Sequence, residues 1–212
     1  MADDYRNTKY CPVLGDLSRK KQNVKNKVLE AHPKAKDMHA YIAKKELPFK
    51  KEFGKAYNLK CAYCGISVEI IPMEFFEIDH FIPKEAVQFG GSKANAGYID
   101  NLVFACRNCN RAKHDFECPA EDLSKINPDS IGILHSFMRD DMYYIRINDN
   151  RRNDRTVRYF YEKIKFGSQL HRIDYLLMNM LGLCNYLENK GHSCGALRKA
   201  IDLLRKKRNI MG

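Results

Sequence analysis

No uninterrupted apolar stretch in this sequence approaches the roughly 18 to 20 residues that a membrane-spanning helix needs. The longest, around Leu176 to Cys184, is broken by Asn179 and Gly182. The opening MADDYRNTKY lacks the apolar core of a secretory signal. No internal repeat or low-complexity tract is visible, which argues against solenoids and disordered arrays. Linkers rich in Gly, Ser or Pro are also missing, which argues against independently tethered domains. Acidic residues are few beside basic ones, 26 against 37. These absences predict a chain without membrane contact in a reducing cytoplasm. There, its eight cysteines serve as metal ligands or buried thiols more readily than as disulfides.

What is present suits a folded globular protein. The 212 residues suffice for one domain or two small ones. Hydrophobic residues make up 44% and charged residues 30%, so a sizeable core can form without disulfide staples. The net charge of +11 biases the partners toward polyanions such as nucleic acid. It is unevenly spread. Residues 1–60 carry +8, residues 61–150 carry −6 and residues 151–212 carry +9. Basic arms can neutralise phosphates and release counterions, and an acidic centre can hold a cation. The arms read equally well as solvated helix faces.

Periodicity sets the expected elements. Residues 1–33 look irregular and basic around Arg19-Lys20-Lys21. Pro33 is expected to open a helix running to about Lys45, and a second short helix covers Lys50 to Tyr57. A strand-like run spans Glu69 to Ile78. A Gly90-Gly91 loop follows, then the apolar run Leu102-Val103-Phe104-Ala105, then a short helix from Cys109 to His114. One or two helices fall between Asp122 and Arg139, interrupted by Pro128. Met142 to Ile147 reads as a strand and NDNRRND as a turn. Thr156 to Phe166 and Gln169 to Leu187 are helical, the second with Leu170, Ile173, Leu177, Met180, Leu181 and Cys184 at helical spacing. A last helix covers Ala196 to Arg208, with Leu197, Ile201 and Leu204 on one face. Its closing Arg205-Lys206-Lys207-Arg208 suits either a helix dipole or phosphate binding.

The cysteines divide into two sets. Cys61-Ala-Tyr-Cys64 and Cys106-Arg-Asn-Cys109 stand 41 residues apart. Each pair can grip one side of a tetrahedral zinc through thiolates, so a structural zinc held by all four is expected. Cys11, Cys118, Cys184 and Cys194 have no partner spacing and read as small buried hydrophobes. His32, His39, His135, His171 and His192 lack metal spacing and read as packing or surface residues.

The segment between the cysteine pairs is the most informative. It runs Glu77-Ile78-Asp79-His80-Phe81-Ile82-Pro83-Lys84, then a loop, then Asn101-Leu102-Val103-Phe104-Ala105-Cys106, then Cys109-Asn110-Arg111-Ala112-Lys113-His114. In order and joint presence these residues resemble the HNH endonuclease family, whose core is a ββα-metal fold. The likeness covers roughly Cys61 to His114, a quarter of the chain. The third letter is Asn110 in place of His, so the site is of HNN type.

The chemistry explains the residue types. Phosphodiester hydrolysis needs a water to lose a proton, the phosphate charge to be offset and the departing oxyanion to be stabilised. A hard divalent cation can serve the last two needs, and a neutral imidazole can serve the first at neutral pH. By the resemblance, His80 is the general base, Asp79 and Asn110 are ligands of a catalytic Mg²⁺ or Mn²⁺, and the amide of Asn101 bridges the loop that holds His80. His114 lies four residues after Asn110 on the same helix face, as either a further metal ligand or a solvated residue. Glu77 stands two residues before Asp79, supporting the site or lying on the surface. Lys113, Arg107 and Arg111 read as phosphate contacts that position nucleic acid without reading sequence, or as solvated charges.

The expected architecture is therefore α+β: a ββα-metal core with a four-cysteine zinc site at residues 55–117, embedded in mostly helical flanks. Residues 1–54 form a basic helical arm and residues 118–212 a mainly helical C-terminal region. The expected activity is metal-dependent cleavage of DNA, leaving 5′-phosphate and 3′-hydroxyl ends as the resemblance implies. The competing reading is a catalytically inactive, zinc-stabilised module that binds nucleic acid or docks on an ATPase. The flanks more loosely resemble nuclease subunits of Septu-type anti-phage defence systems, through the central motif and the closing Leu181-Gly182-Leu183 with Arg198. That likeness implies a defence setting, an ATPase partner subunit and a possible oligomer.

Overall fold

The computed structural model describes residues 3–10, 15–44 and 46–211. Cys11 and the expected helix end at Lys45 lie outside them. Helices α1 (Leu17–Ala31), α2 (Met38–Ile42) and α3 (Phe49–Ala56) come first. Strand β1 (Phe76–His80) then pairs antiparallel with β2 (Leu102–Cys106), with the one-turn α4 (Lys93–Ala96) in the loop between them and α5 (Arg107–Lys113) directly after β2. The C-terminal region holds α6 (Leu123–Ile126), α7 (Gly132–Ser136), the antiparallel pair β3 (Phe137–Arg139) and β4 (Ile145–Ile147), then α8 (Arg155–Ile164), α9 (Gln169–Asn189) and α10 (Gly195–Met211). The chain is a mixed helix and small-sheet protein, 54% helical, with a ββα unit in β1, β2 and α5. No helix among the described residues is long and apolar enough to cross a membrane.

One apolar core links all three regions. Val24 and Val28 of α1, Phe53 of α3, Phe76, Phe104 and Phe160 all belong to it. The rings of Phe76 and Phe104 lie parallel, 4.7 Å apart, locking β1 to β2. Phe160 of α8 meets Phe116 edge-on at 5.2 Å and Tyr63 at 6.1 Å, bracing the ββα unit from behind. The register sets Asp79 opposite Val103 and His80 opposite Leu102. The last two helices pack on a separate small cluster of Ile173, Leu177, Cys184, Cys194 and Ile201.

Several elements differ from the sequence expectation. The irregular N-terminus contains the 15-residue α1. Its buried stripe is Lys21, Val24 and Val28, a helical spacing masked because one member is a lysine. Lys21 is 1% exposed and pairs with Asp129 at 2.5 Å, an interaction whose partner lies over a hundred positions away. The Pro33 helix is reduced to α2, which Asp37 caps by accepting from Ala40 N at 3.2 Å. The strand expected over Glu69 to Ile78 starts only at Phe76 and extends to His80. The end of the Asp122–Arg139 region is strand β3, because Phe137 turns inward to pack on Phe166 at 5.0 Å.

Candidate active site and cysteine cluster

The cysteine pairs converge. Cys61, Cys64, Cys106 and Cys109 are all buried and unbridged, and their Sγ atoms lie within 4.8 Å of one another. The four-cysteine cluster can hold a zinc ion. Four thiolate donors at such separations suit tetrahedral zinc. The first pair is shaped by its own backbone: Cys61 N donates to Ile66 O at 2.8 Å, and Gly65 N to Cys61 O at 2.9 Å. Gly65 has φ +80°, and a Cβ there would fall 2.6 Å from the Arg6 carbonyl oxygen, so this turn requires glycine. The second pair straddles the β2–α5 junction, with Cys106 ending the strand and Cys109 inside the helix. The cluster thus fixes where α5 leaves the sheet.

That placement matters because α5 has two working faces. Cys109 and Lys113 are buried. Asn110 on the other face, and His114 just beyond the helix end, where φ is +48° in place of the expected helical conformation, line a cleft of about 1040 Å³ with Asp79, His80, Arg111 and His39. The structure therefore brings Asp79, His80, Asn110 and His114 to one cavity. Asp79 is 6% exposed. Its Oδ2 accepts from the Tyr63 hydroxyl at 2.7 Å, and its Oδ1 lies 3.4 Å from Lys113 Nζ. Burial outweighs these partners and raises its pKa to about 6. The half-buried His80 is moved the other way, to about 4, first by burial and then by His39, with Lys84 and Lys113 adding to it. Its imidazole is neutral at pH 7.

Asn101 is buried and satisfies the loop after β1. Its Oδ1 accepts from Ile82 N at 2.8 Å, and its Nδ2 donates to Ile82 O at 3.0 Å and Ala96 O at 2.8 Å. Its carbonyl also accepts from Phe81 N at 2.8 Å. The residue next to His80 is thereby tied to the start of β2.

Three basic residues expected at phosphates have different settings. Lys113 is 1% exposed, not presented to solvent. Its ammonium donates to the carbonyls of His80 at 3.0 Å, Phe81 at 3.3 Å and His114 at 3.3 Å. The reason is its i+4 spacing from buried Cys109, which carries it to the inner face of α5. Arg107 pairs with Glu77 at 3.1 Å and stacks over Phe75 at 5.1 Å. Arg111 is exposed on the cleft wall. His114 is also exposed, with Nδ1 2.8 Å from Asp115 Oδ1.

Three further residues stand at the site: His39, which by sequence reads as a packing or surface residue, Tyr63, which carries no expectation, and Glu77, expected either to support the site or to lie on the surface. His39 of α2 lays its ring 4.3 Å from that of His80, and its Nε2 donates to Ile78 O at 3.0 Å. Tyr63 holds Asp79 from within the first cysteine pair. Glu77 accepts from Asn110 Nδ2 at 2.7 Å as well as from Arg107. Only Glu77 carried a local signal, its two-residue spacing from Asp79.

Comparison with known proteins points to the same segment of the chain. Residues 61–116 match the family described as HNH endonuclease. YoqL of Bacillus subtilis (strain 168), a protein derived from the SPbeta prophage and named as an HNH endonuclease, is 39% identical over 62 residues. That alignment covers 28% of this chain, and the chain spans about a quarter (25%) of YoqL. No solved structure matches. The likeness to HNH endonucleases is thus confined to residues 61–116, the segment that holds the ββα unit and the cysteine cluster.

Proposed function

We propose that the chain is an endonuclease that hydrolyses phosphodiester bonds in DNA, with His80 as general base. Asp79 and Asn110 are the proposed ligands of a catalytic divalent cation. The observation that carries this reading is the convergence of Asp79, His80 and Asn110 on one cleft from two elements, β1 and α5. Asp79 and Asn110, with Glu77 hydrogen-bonded to Asn110, offer oxygen donors, which fit Mg²⁺ or Mn²⁺. When bound, such a cation supplies charge compensation at the phosphate and the leaving oxygen.

The chain's own residues divide the remaining work. The neutral imidazole of His80 takes a proton from the attacking water on a ring nitrogen. Lys113 holds the His80 carbonyl and the Asp79 carboxylate together. Glu77 fixes the Asn110 amide so that its oxygen is left free of Glu77. Arg111, Lys84 and Lys93 line the cleft and are the proposed phosphate contacts there. His114, exposed at the cleft wall, is retained as a further metal-ligand proposal. The basic arms, residues 1–54 and 118–212, are proposed to extend the DNA-binding surface around a core at 55–117. An ATPase partner, oligomerisation and an anti-phage setting extend the proposal on the looser likeness of the closing helices.

Plasmid cleavage with Mg²⁺ or Mn²⁺ supplied tests the reading. Wild type should nick or cut, and His80→Ala should do neither while keeping its fold. Equal cleavage by both would remove His80 from the base role. Binding without cleavage by wild type would favour the inactive binding module.

A further inference from the structure

We propose that Cys184, Glu188 and Cys194 form a second metal site, selective for a thiophilic divalent cation of the zinc type, that clasps α9 to α10. By spacing alone both cysteines read as isolated hydrophobes. The structure brings them together with a carboxylate, one donor atom of each lying within 4.8 Å of the others. Cys184 and Glu188 are four residues apart on α9 and so share a face, with Sγ 3.6 Å from Oε1. The chain reverses at Gly191, where φ is +80°, and Cys194 then stands immediately before α10. Its Sγ donates to Cys184 O at 3.2 Å.

The chemistry of this set selects its ligand. Two sulfur donors favour zinc over magnesium or calcium. Cys184 and Cys194 are 1% and 4% exposed, while the Glu188 side chain is 37% exposed, so the ion enters from the carboxylate side. Three protein ligands leave the fourth tetrahedral position to water. Entry of the ion displaces one proton from each thiol to solvent. The charges then balance: two thiolates and one carboxylate face a divalent cation and the Arg198 guanidinium, which holds Glu188 through bonds of 2.9 and 2.7 Å.

The fold supplies a reason for such a clasp. Ile201 is the one buried residue of α10, and the cluster joining it to α9 is small. Burial of so little apolar area holds a 17-residue helix weakly, and metal binding free energy adds directly to folding. The site uses no residue of the 61–116 domain and stands whether or not the chain cleaves DNA.

Elemental analysis of the full-length chain, purified after zinc loading, tests the proposal. Wild type should hold two zinc ions per chain, and Cys184→Ser/Cys194→Ser should hold one. Glu188→Gln, which keeps both thiols and sits at the surface, should lose one equivalent to a chelator under conditions where wild type retains two. A single equivalent in wild type, an unchanged count in the double variant, or a Cys184–Cys194 disulfide found in place of metal would each overturn it. If the double variant does not fold, retention of both ions by Glu188→Gln under chelation overturns it equally.

Discussion

The imidazole of His39, carried by α2, lies against that of His80 at the end of β1, with ring centroids 4.3 Å apart and planes tilted by 31°. The plate is held in place, because His39 Nε2 donates to the Ile78 carbonyl two residues before His80. The N-terminal arm, outside the matched segment 61–116, thus packs a ring against the proposed base. It also helps to keep that base neutral.

His39→Ala should therefore slow DNA cleavage on the order of tenfold, since a loosened base loses part of its positioning advantage. Zinc content and melting temperature should stay close to wild type. His39→Phe restores a ring without the hydrogen bond and should recover most of the rate. Full activity in His39→Ala would show that the stack does nothing for the chemistry.

Lys113 and Arg111 lie two positions apart in sequence yet should give opposite signatures. Arg111→Ala should weaken DNA binding and reduce its salt dependence by about one counterion, leaving melting unchanged. Lys113→Met removes the positive partner of the buried Asp79 and three carbonyl contacts. Stripping one partner from a buried pair costs about 3 to 5 kcal/mol. Its melting temperature should fall by many degrees, while the salt slope of any folded fraction stays that of wild type. A lowered slope in Lys113→Met would place its ammonium on the phosphates after all.

The cysteine cluster should be needed for the fold. Zinc binding by a structural site is worth about 10 to 16 kcal/mol in small zinc domains, comparable to or greater than the whole stability of a typical domain. Cys61→Ser should lose zinc and soluble expression together. A soluble Cys61→Ser chain with full zinc content, measured by elemental analysis, would show that the quartet is not the staple.

The ββα core was legible because its signals are local. Two Cys-x-x-Cys pairs and an apolar run ending in Cys106 announce themselves within short windows, whereas the helical i, i+4 pairing of Asn110 with His114 is broken by the helix end at Lys113. The inward turn of Lys113 was missed, because a lysine is ordinarily read as solvated or phosphate-bound even at i+4 from a buried cysteine. α1 was hidden because Lys21 takes a core position whose partner, Asp129, lies far along the chain. His39 gave no signal at all, since its role exists only once α2 packs beside β1. Cys184 and Cys194 look unpaired by spacing because nine residues and a chain reversal lie between them.

Two buried groups on α9 should titrate in opposite senses. His171, packed edge-on against Phe166, has its pKa lowered to about 4 by burial, with Arg139 and Arg208 adding to the effect. Its neutral form contributes stability that is present above pH 6.5 and is lost as pH falls toward 4. Asp174 has its pKa raised to about 6 by burial, against the pull of Arg208. Its protonated form contributes stability that is present below pH 3.8 and is lost as pH rises through 6. Each swing is on the order of 3 kcal/mol, and between pH 4 and 6 they largely cancel. His171→Phe should therefore gain in melting temperature relative to wild type as the pH is lowered from 6.5 to 4. Asp174→Asn should gain relative to wild type as the pH is raised from 4 to 6. Thermal melts across that range check both slopes. Parallel difference curves for the two variants would show that these side chains are not the titrating groups.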